Sequence, residues 1–178
     1  MIRTLLLASV IVVGCDKRRE SAQVTPPVGS ATTPELPDPL SLDWQSLRYD
    51  LGSLGAVKAT HGRAEFHVIE DEGGGLHASQ DPSATAEGAS FLALDPPALV
   101  DLDGDGHEEA VIPFQLNSGH DAVFGVFVFT LRAGEPVQLG TIPTTKQPGF
   151  TIEGATIKTS EGAVWRWDAA ARQLKLAP

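Results

Sequence analysis

The chain has 178 residues, a length that indicates one domain with additional segments, and 42% of them are hydrophobic, a proportion typical of globular proteins. Its 23 acidic side chains outnumber 13 basic ones and give a formal net charge of −10, which argues against nucleic acid as a partner because a phosphate backbone requires clustered Lys and Arg. A single Cys excludes an intrachain disulfide, so the fold must rest on its core or on a bound ion.

The N-terminus has the pattern of a secretory signal. Arg3 provides a positive charge, and Leu5–Val13 is an apolar stretch far shorter than the roughly 20 residues that span a bilayer. The stretch ends in VVGC at residues 12–15, which resembles the bacterial lipobox. That resemblance implies cleavage before Cys15 and acyl chains on its thiol and on the new amine, and several chains anchor a protein stably where one does not.

We therefore predict a signal peptide over residues 1–14, a lipidated Cys15 with a disordered tether over 15–40, and a β-rich globular domain over 41–178. The tether is indicated by five prolines and little apolar periodicity in residues 16–40. The expected location is the bacterial cell envelope, facing the periplasm or the cell surface, with the membrane contacted through the N-terminal lipid. Asp16 resembles an inner-membrane retention signal, but that rule varies between bacterial groups, so the choice of membrane stays open. The alternative is an ordinary signal peptide with an incidental Cys.

Within the domain, Asp43 is expected to cap a short helix that carries Trp44, Leu47 and Leu51 on one face and ends at Gly52. The polar, Gly-rich stretch over residues 70–89 predicts a mobile loop. Most of the remaining sequence is typical of strands. Predicted strands and hairpins lie in AVKATHGRAEFHVIE (56–70), SFLAL (90–94), PALV (97–100), EAVIPFQL (109–116), DAVFGVFVFTL (121–131), EPVQLGTI (135–142), ATIKT (155–159), AVWRWD (163–168) and RQLKL (172–176).

The stretch DAVFGVFVFTL is apolar on both of its faces. Because side chains alternate along a strand, it is expected to be central and covered on both sides. One face carries Phe124, Val126 and Val128, and the other carries Val123, Phe127, Phe129 and Leu131. No sustained helical period and no fixed repeat is present. We predict a mainly β fold, a compact antiparallel sheet domain that is sandwich-like or curled, with one short N-terminal helix.

The stretch DLDGDGHEE at residues 101–109 has the spacing of a calcium loop. Aspartates occupy positions 1, 3 and 5, and Gly106 stands at position 6, where such loops turn sharply. Position 12 is Ile112 instead of the Glu that an EF-hand requires, so this is not an EF-hand. The predicted ligands are Asp101, Asp103, Asp105, the His107 carbonyl and Glu109.

The loop resembles the D-x-D-x-D-G-x-x-[DE] loop of integrin-type FG-GAP repeats, which links two strands and completes its ligand shell at position 9. The wider stretch Asp101–Leu176, together with DWQSLRY at Asp43–Tyr49, resembles a group of uncharacterised bacterial envelope lipoproteins, a resemblance that implies no reaction. Carboxylate oxygens favour Ca²⁺ over zinc or copper, and an all-protein site favours it over Mg²⁺. The alternative is an Asp-Gly turn without an ion.

The sequence contains no nucleophile elbow, P-loop or H-E-x-x-H motif. Trp165 and Trp167 share a face of one predicted strand; exposed, they would stack on sugar rings or on a protein, and buried, they would belong to the core. We predict a non-enzymatic, lipid-anchored envelope protein with an ion-stabilised β domain that binds a protein or a glycan. The alternative is an envelope hydrolase that uses carboxylate chemistry.

Overall fold

The structure, a computed structural model, describes residues 38–84, 89–118, 122–147 and 149–178. The predicted signal peptide, Cys15 and most of the predicted tether therefore lie outside the described residues. The predicted mainly β fold is confirmed. The strands are β1 (Arg48–Asp50), β2 (Ala56–Lys58), β3 (Arg63–Glu70), β4 (Leu76–Ser79), β5 (Ser90–Leu94), β6 (Ala98–Val100), β7 (Glu109–Asn117), β8 (Ala122–Arg132), β9 (Glu135–Thr144), β10 (Phe150–Glu153), β11 (Thr156–Thr159), β12 (Val164–Asp168) and β13 (Gln173–Leu176).

These strands form three antiparallel groups. The largest is a seven-stranded sheet with the order β4-β3-β5-β7-β8-β9, in which β6 also pairs with β7. Strands β10 to β13 form a four-stranded meander, and β1 pairs with β2 alone. Within the described ranges, no helix is long and apolar enough to cross a membrane.

Strand β8 organises the core, because its two faces belong to two different apolar clusters. Phe127 packs against Tyr49 of β1, with 4.9 Å between the ring centroids. Val128, on the opposite face, lies in a second cluster with Ile157 of β11. The large sheet is therefore covered by the N-terminal segment on one side and by the meander on the other, as the doubly apolar sequence of β8 predicts. Each fully buried side chain of this kind contributes about 1.5–3 kcal/mol.

The short N-terminal helix is reduced to a three-residue 3₁₀ turn, Trp44–Ser46, and Asp43 precedes it without a capping hydrogen bond. The prediction of Leu47 and Leu51 on one helix face is wrong, because strand β1 lies between them. The cause is Tyr49, whose side chain is fully buried in the aromatic cluster. An extended backbone places that ring against the large sheet, and its burial outweighs the local helical spacing.

The prediction of a mobile loop over residues 70–89 is also wrong in part, because the stretch contains β4. Strand β4 pairs with β3, with His67 opposite Ser79 and Glu70 opposite Leu76. The strand is short, stands at the sheet edge and carries few apolar side chains, so it lacks the alternation that marks a half-buried strand. Residues 85–88 of the same stretch lie outside the described residues.

Two turns have the backbone that tight hairpins require. His61 and Gly62 have φ values of 52° and 79°, and Ala133 and Gly134 have values of 52° and 84°. Positive φ at both central residues is the signature of a type I′ turn, whose twist matches that of the flanking strands. The Ala133-Gly134 turn joins β8 to β9 and so sets the register of the longest hairpin.

Candidate metal site

The acidic loop joins two neighbouring strands. Strands β6 and β7 pair antiparallel, with Val100 opposite Glu109, so the two ends of the loop are held side by side. Glu109 is the first residue of β7, and its side chain starts from the rigid sheet instead of from the loop.

The side-chain carboxylate of Asp101 fixes the shape of the loop by accepting hydrogen bonds from the loop backbone. Its Oδ1 accepts a hydrogen bond from the Gly104 N–H at 2.7 Å, and its Oδ2 accepts one from the Gly106 N–H at 3.1 Å. Both glycines have positive φ, 77° and 89°, a conformation that L side chains rarely adopt. The chain therefore folds around this carboxylate, which accounts for the Asp-Gly alternation in the sequence.

Three of the predicted ligands meet at one point. Asp101, Asp103 and Glu109 each present a carboxylate oxygen, and these oxygens lie within 4.8 Å of one another. Asp105 is outside this group, and its Oδ1 accepts a hydrogen bond from the His107 N–H at 2.8 Å. The structure thus brings together three of the four predicted carboxylates, and a role for the His107 carbonyl stays a prediction.

Glu109 is the buried member of the group, with only 2% of its surface exposed. Its Oε2 accepts a hydrogen bond from the Leu102 N–H at 2.9 Å, and its Oε1 accepts one from the Thr130 hydroxyl at 3.1 Å. Burial raises the pKa of Glu109, its two hydrogen bonds oppose this shift, and the charges of Asp103 and Asp105 raise the pKa further. Within the described residues, the charges that shift the pKa of Glu109 are both negative, so an ionised Glu109 has no compensating positive charge among them.

The donor set fits a hard divalent cation. Three carboxylate oxygens are ligands that Ca²⁺ and Mg²⁺ prefer, whereas zinc and copper sites are typically built from nitrogen and sulfur. A cation held by Asp101, Asp103 and Glu109 would remove the repulsion among the three charges. It would also supply the positive partner that the buried carboxylate of Glu109 needs.

A cleft of about 350 Å³ opens beside the loop. Trp167, on β12, lines this cleft and is half-buried. Trp165, two residues earlier, is half-buried against the second core cluster. The two indoles that the sequence placed on one face thus have different surroundings. The cleft is lined by Asp103, Gly104, Asp105, Thr130, Leu131, Arg132, Trp167, Ala169 and Arg172.

Comparison with known proteins finds no matching family model and no significantly similar curated protein or solved structure. Function therefore has to be inferred from the side chains themselves. The most informative of them are the three carboxylates that meet where the loop enters β7.

Proposed function

We propose that the chain is a lipid-anchored protein of the bacterial cell envelope whose β domain is stabilised by Ca²⁺ at the acidic loop and serves binding instead of catalysis. The observation that supports a bound cation is that carboxylate oxygens of Asp101, Asp103 and Glu109 lie within 4.8 Å of one another. The anchor rests on the sequence alone, through the VVGC motif that ends at Cys15. A lipid there would tether the acidic domain to a membrane that its surface charge does not favour.

The cation would connect the loop to the sheet. Asp101 and Asp103 belong to the loop, whereas Glu109 belongs to β7, a strand that pairs with β5, β6 and β8. Binding of the cation would therefore cross-link the start of the β6–β7 loop to the first residue of β7. Calcium is favoured over magnesium because it accepts irregular carboxylate geometry, whereas Mg²⁺ demands a near-ideal octahedron and keeps several waters.

The position of Glu109 supports a binding role over hydrolysis. A carboxylic acid with a raised pKa is a common proton donor in active sites. Such a donor must reach the substrate, but Glu109 is 2% exposed and both of its oxygens accept hydrogen bonds, from the Leu102 N–H and the Thr130 hydroxyl. These contacts favour an internal, ion-holding carboxylate.

Binding of the cation is tested by thermal unfolding of the full-length chain in detergent. One sample contains EDTA and the other contains about 5 mM CaCl₂. Extracellular calcium modules often have a Kd of ~10⁻⁴–10⁻³ M. Calcium at ten times Kd adds ~1.4 kcal/mol to the free energy of unfolding, which raises Tm by a few degrees.

The Asp103→Ala variant should lose this calcium-dependent rise. Glu108→Ala is the matched control, because it removes one charge from the same loop at an exposed position outside the carboxylate group. It should keep the rise. Equal melting temperatures in EDTA and in calcium for the unsubstituted chain would refute the cation.

The lipid anchor is tested separately by metabolic labelling with radioactive palmitate in a bacterial host. The unsubstituted chain should incorporate the label, and Cys15→Ser should not, because Cys15 is the only thiol in the sequence. Undiminished labelling of Cys15→Ser would place the lipid elsewhere and remove the basis for the anchor.

A further inference from the structure

The cleft beside the acidic loop lies where the packing between the two larger sheets ends. Because side chains alternate along a strand, Thr130 and Arg132 lie on the same face of β8 as Val126 and Val128. Val126 and Val128 are fully buried between the large sheet and the meander, but Thr130 and Arg132 line the open cleft. The meander contributes the opposite wall through Trp167 of β12.

Two arginines that form no ion pair within the described residues line this cleft. Arg132 ends β8, Arg172 lies in the turn between β12 and β13, and both are exposed. Neither forms a salt bridge with any carboxylate in the described ranges, whereas Lys175 in the same meander pairs with Asp168 at 2.6 Å. The chain has a net charge of −10 and the cleft also carries Asp103 and Asp105, so these two arginines are the groups in the cleft that can hold an anion. Guanidinium groups suit carboxylates in particular, because their planar fork donates two parallel hydrogen bonds.

The same cleft offers an aromatic surface. Trp167 is half-buried, and indole packs well against the apolar C–H face of a sugar ring. A volume of about 350 Å³ is within the range of small-ligand sites and accommodates one or two sugar rings. The combination of an aromatic wall and cationic forks is suited to a ring that carries an acid group.

We propose that this cleft binds an acidic saccharide, with the sugar carboxylate held by Arg132 and Arg172 and a sugar ring packed on Trp167. This inference rests on the proposed calcium site, and it names the class of ligand that the proposed binding domain takes. Asp103 and Asp105 form part of the cleft wall and would repel a sugar carboxylate. A cation at the loop offsets this negative charge, so binding requires calcium.

Isothermal titration calorimetry on the full-length chain in detergent tests the inference with two probes of equal length. Hyaluronan tetrasaccharide carries carboxylates, and chitotetraose, in its fully N-acetylated form, is neutral. In millimolar calcium the acidic probe should bind at least about tenfold more tightly than the neutral one, since charge-assisted hydrogen bonds are lost with chitotetraose. EDTA should abolish binding of the acidic probe.

Substitutions identify the groups involved. Arg132→Gln and Arg172→Gln should each weaken binding of the acidic probe about tenfold or more, and Trp167→Ala should weaken it as well. The matched control is Arg166→Gln, an exposed arginine on β12 that lies outside the cleft and should leave binding unchanged. An unaltered Tm for the exposed arginine variants verifies that they fold.

The calcium-dependent rise in Tm, measured on the same samples, separates the two proposals. A rise in Tm without binding of hyaluronan tetrasaccharide overturns the saccharide site and leaves the calcium site standing. Absence of the rise refutes the calcium site on which the inference rests. Equal affinity for the two probes, binding that persists in EDTA, or equal losses in Arg166→Gln and Arg172→Gln would each overturn the saccharide site.

Discussion

The chain contains two acidic, Gly-rich turns that look alike in sequence and differ in what their carboxylates contact. In the turn between β3 and β4, Asp71 Oδ1 accepts hydrogen bonds from the N–H groups of Gly73 and Gly75, at 2.9 and 2.8 Å. In the loop between β6 and β7, Asp101 accepts two backbone hydrogen bonds in the same manner. A second and a third carboxylate then join Asp101, whereas Asp71 belongs to no such group in the described part of the chain.

An Asp carboxylate can therefore organise a turn by accepting backbone hydrogen bonds, with no further carboxylates grouped around it. What sets the second loop apart is Glu109, which a buried strand position aims at the loop. The pKa shifts have opposite directions: backbone hydrogen bonds lower the pKa of Asp71, whereas burial raises that of Glu109. One carboxylate is satisfied by its own turn, and the other is suited to a cation.

Among substitutions in the two turns, Glu109→Ala is expected to have the largest effect on the free energy of unfolding. The substitution leaves the Leu102 N–H and the Thr130 hydroxyl without their partner and opens a small cavity. We expect the free energy of unfolding in EDTA to fall by about 2–4 kcal/mol, measured by urea denaturation.

The adjacent and exposed Glu108 provides the control for this measurement. Glu108→Ala should change the free energy of unfolding by less than about 0.5 kcal/mol. A loss below 0.5 kcal/mol for Glu109→Ala as well would mean that the buried carboxylate contributes nothing to the structure of the loop.

A smaller effect should separate the two turns by their response to calcium. Asp101→Asn keeps an acceptor for the loop backbone but removes a charge from the carboxylate group, so the gain of ~1.4 kcal/mol at ten times Kd should be largely lost. Asp71→Asn makes the same change in the other turn and should keep that gain. Thermal melts in EDTA and in calcium measure both variants, and an equal loss in the two would show that calcium acts through overall charge.

The sequence predicted the central part of the fold better than its edges. Strand β8 was predictable because both of its alternating faces are apolar, and Phe127 and Val128 indeed enter different clusters. Edge strands were harder to predict, because β4 lies within a Gly-rich stretch and β10 has no clear strand pattern in its sequence. Strand β1 was missed because its stability comes from Tyr49 packing on a distant sheet, which a local pattern does not contain.

The candidate site shows the same division between local and distant information. The spacing of aspartates and glycines predicted the shape of the loop and the meeting of Asp101, Asp103 and Glu109. It placed Asp105 in the group as well, although that side chain lies outside it. The contact between Glu109 and Thr130 joins residues 21 positions apart and depends on the pairing of β7 with β8, which no motif encodes.

The smallest expected effect is on the pH dependence of the turn at Asp71. Hydrogen bonds from the Gly75 and Gly73 N–H groups hold the pKa of this exposed carboxyl below its ordinary value of 3.8. The ionised form is therefore favoured in the folded state, and its contribution to stability is present above that ordinary value and lost as the pH falls below it. Asp71→Asn cannot titrate, so the difference in urea midpoint between it and the unsubstituted chain should shrink on moving from pH 6 to more acidic solution. The measurement is made in EDTA to exclude the calcium loop, and a difference that instead grows below pH 3.8 would contradict the turn geometry described here.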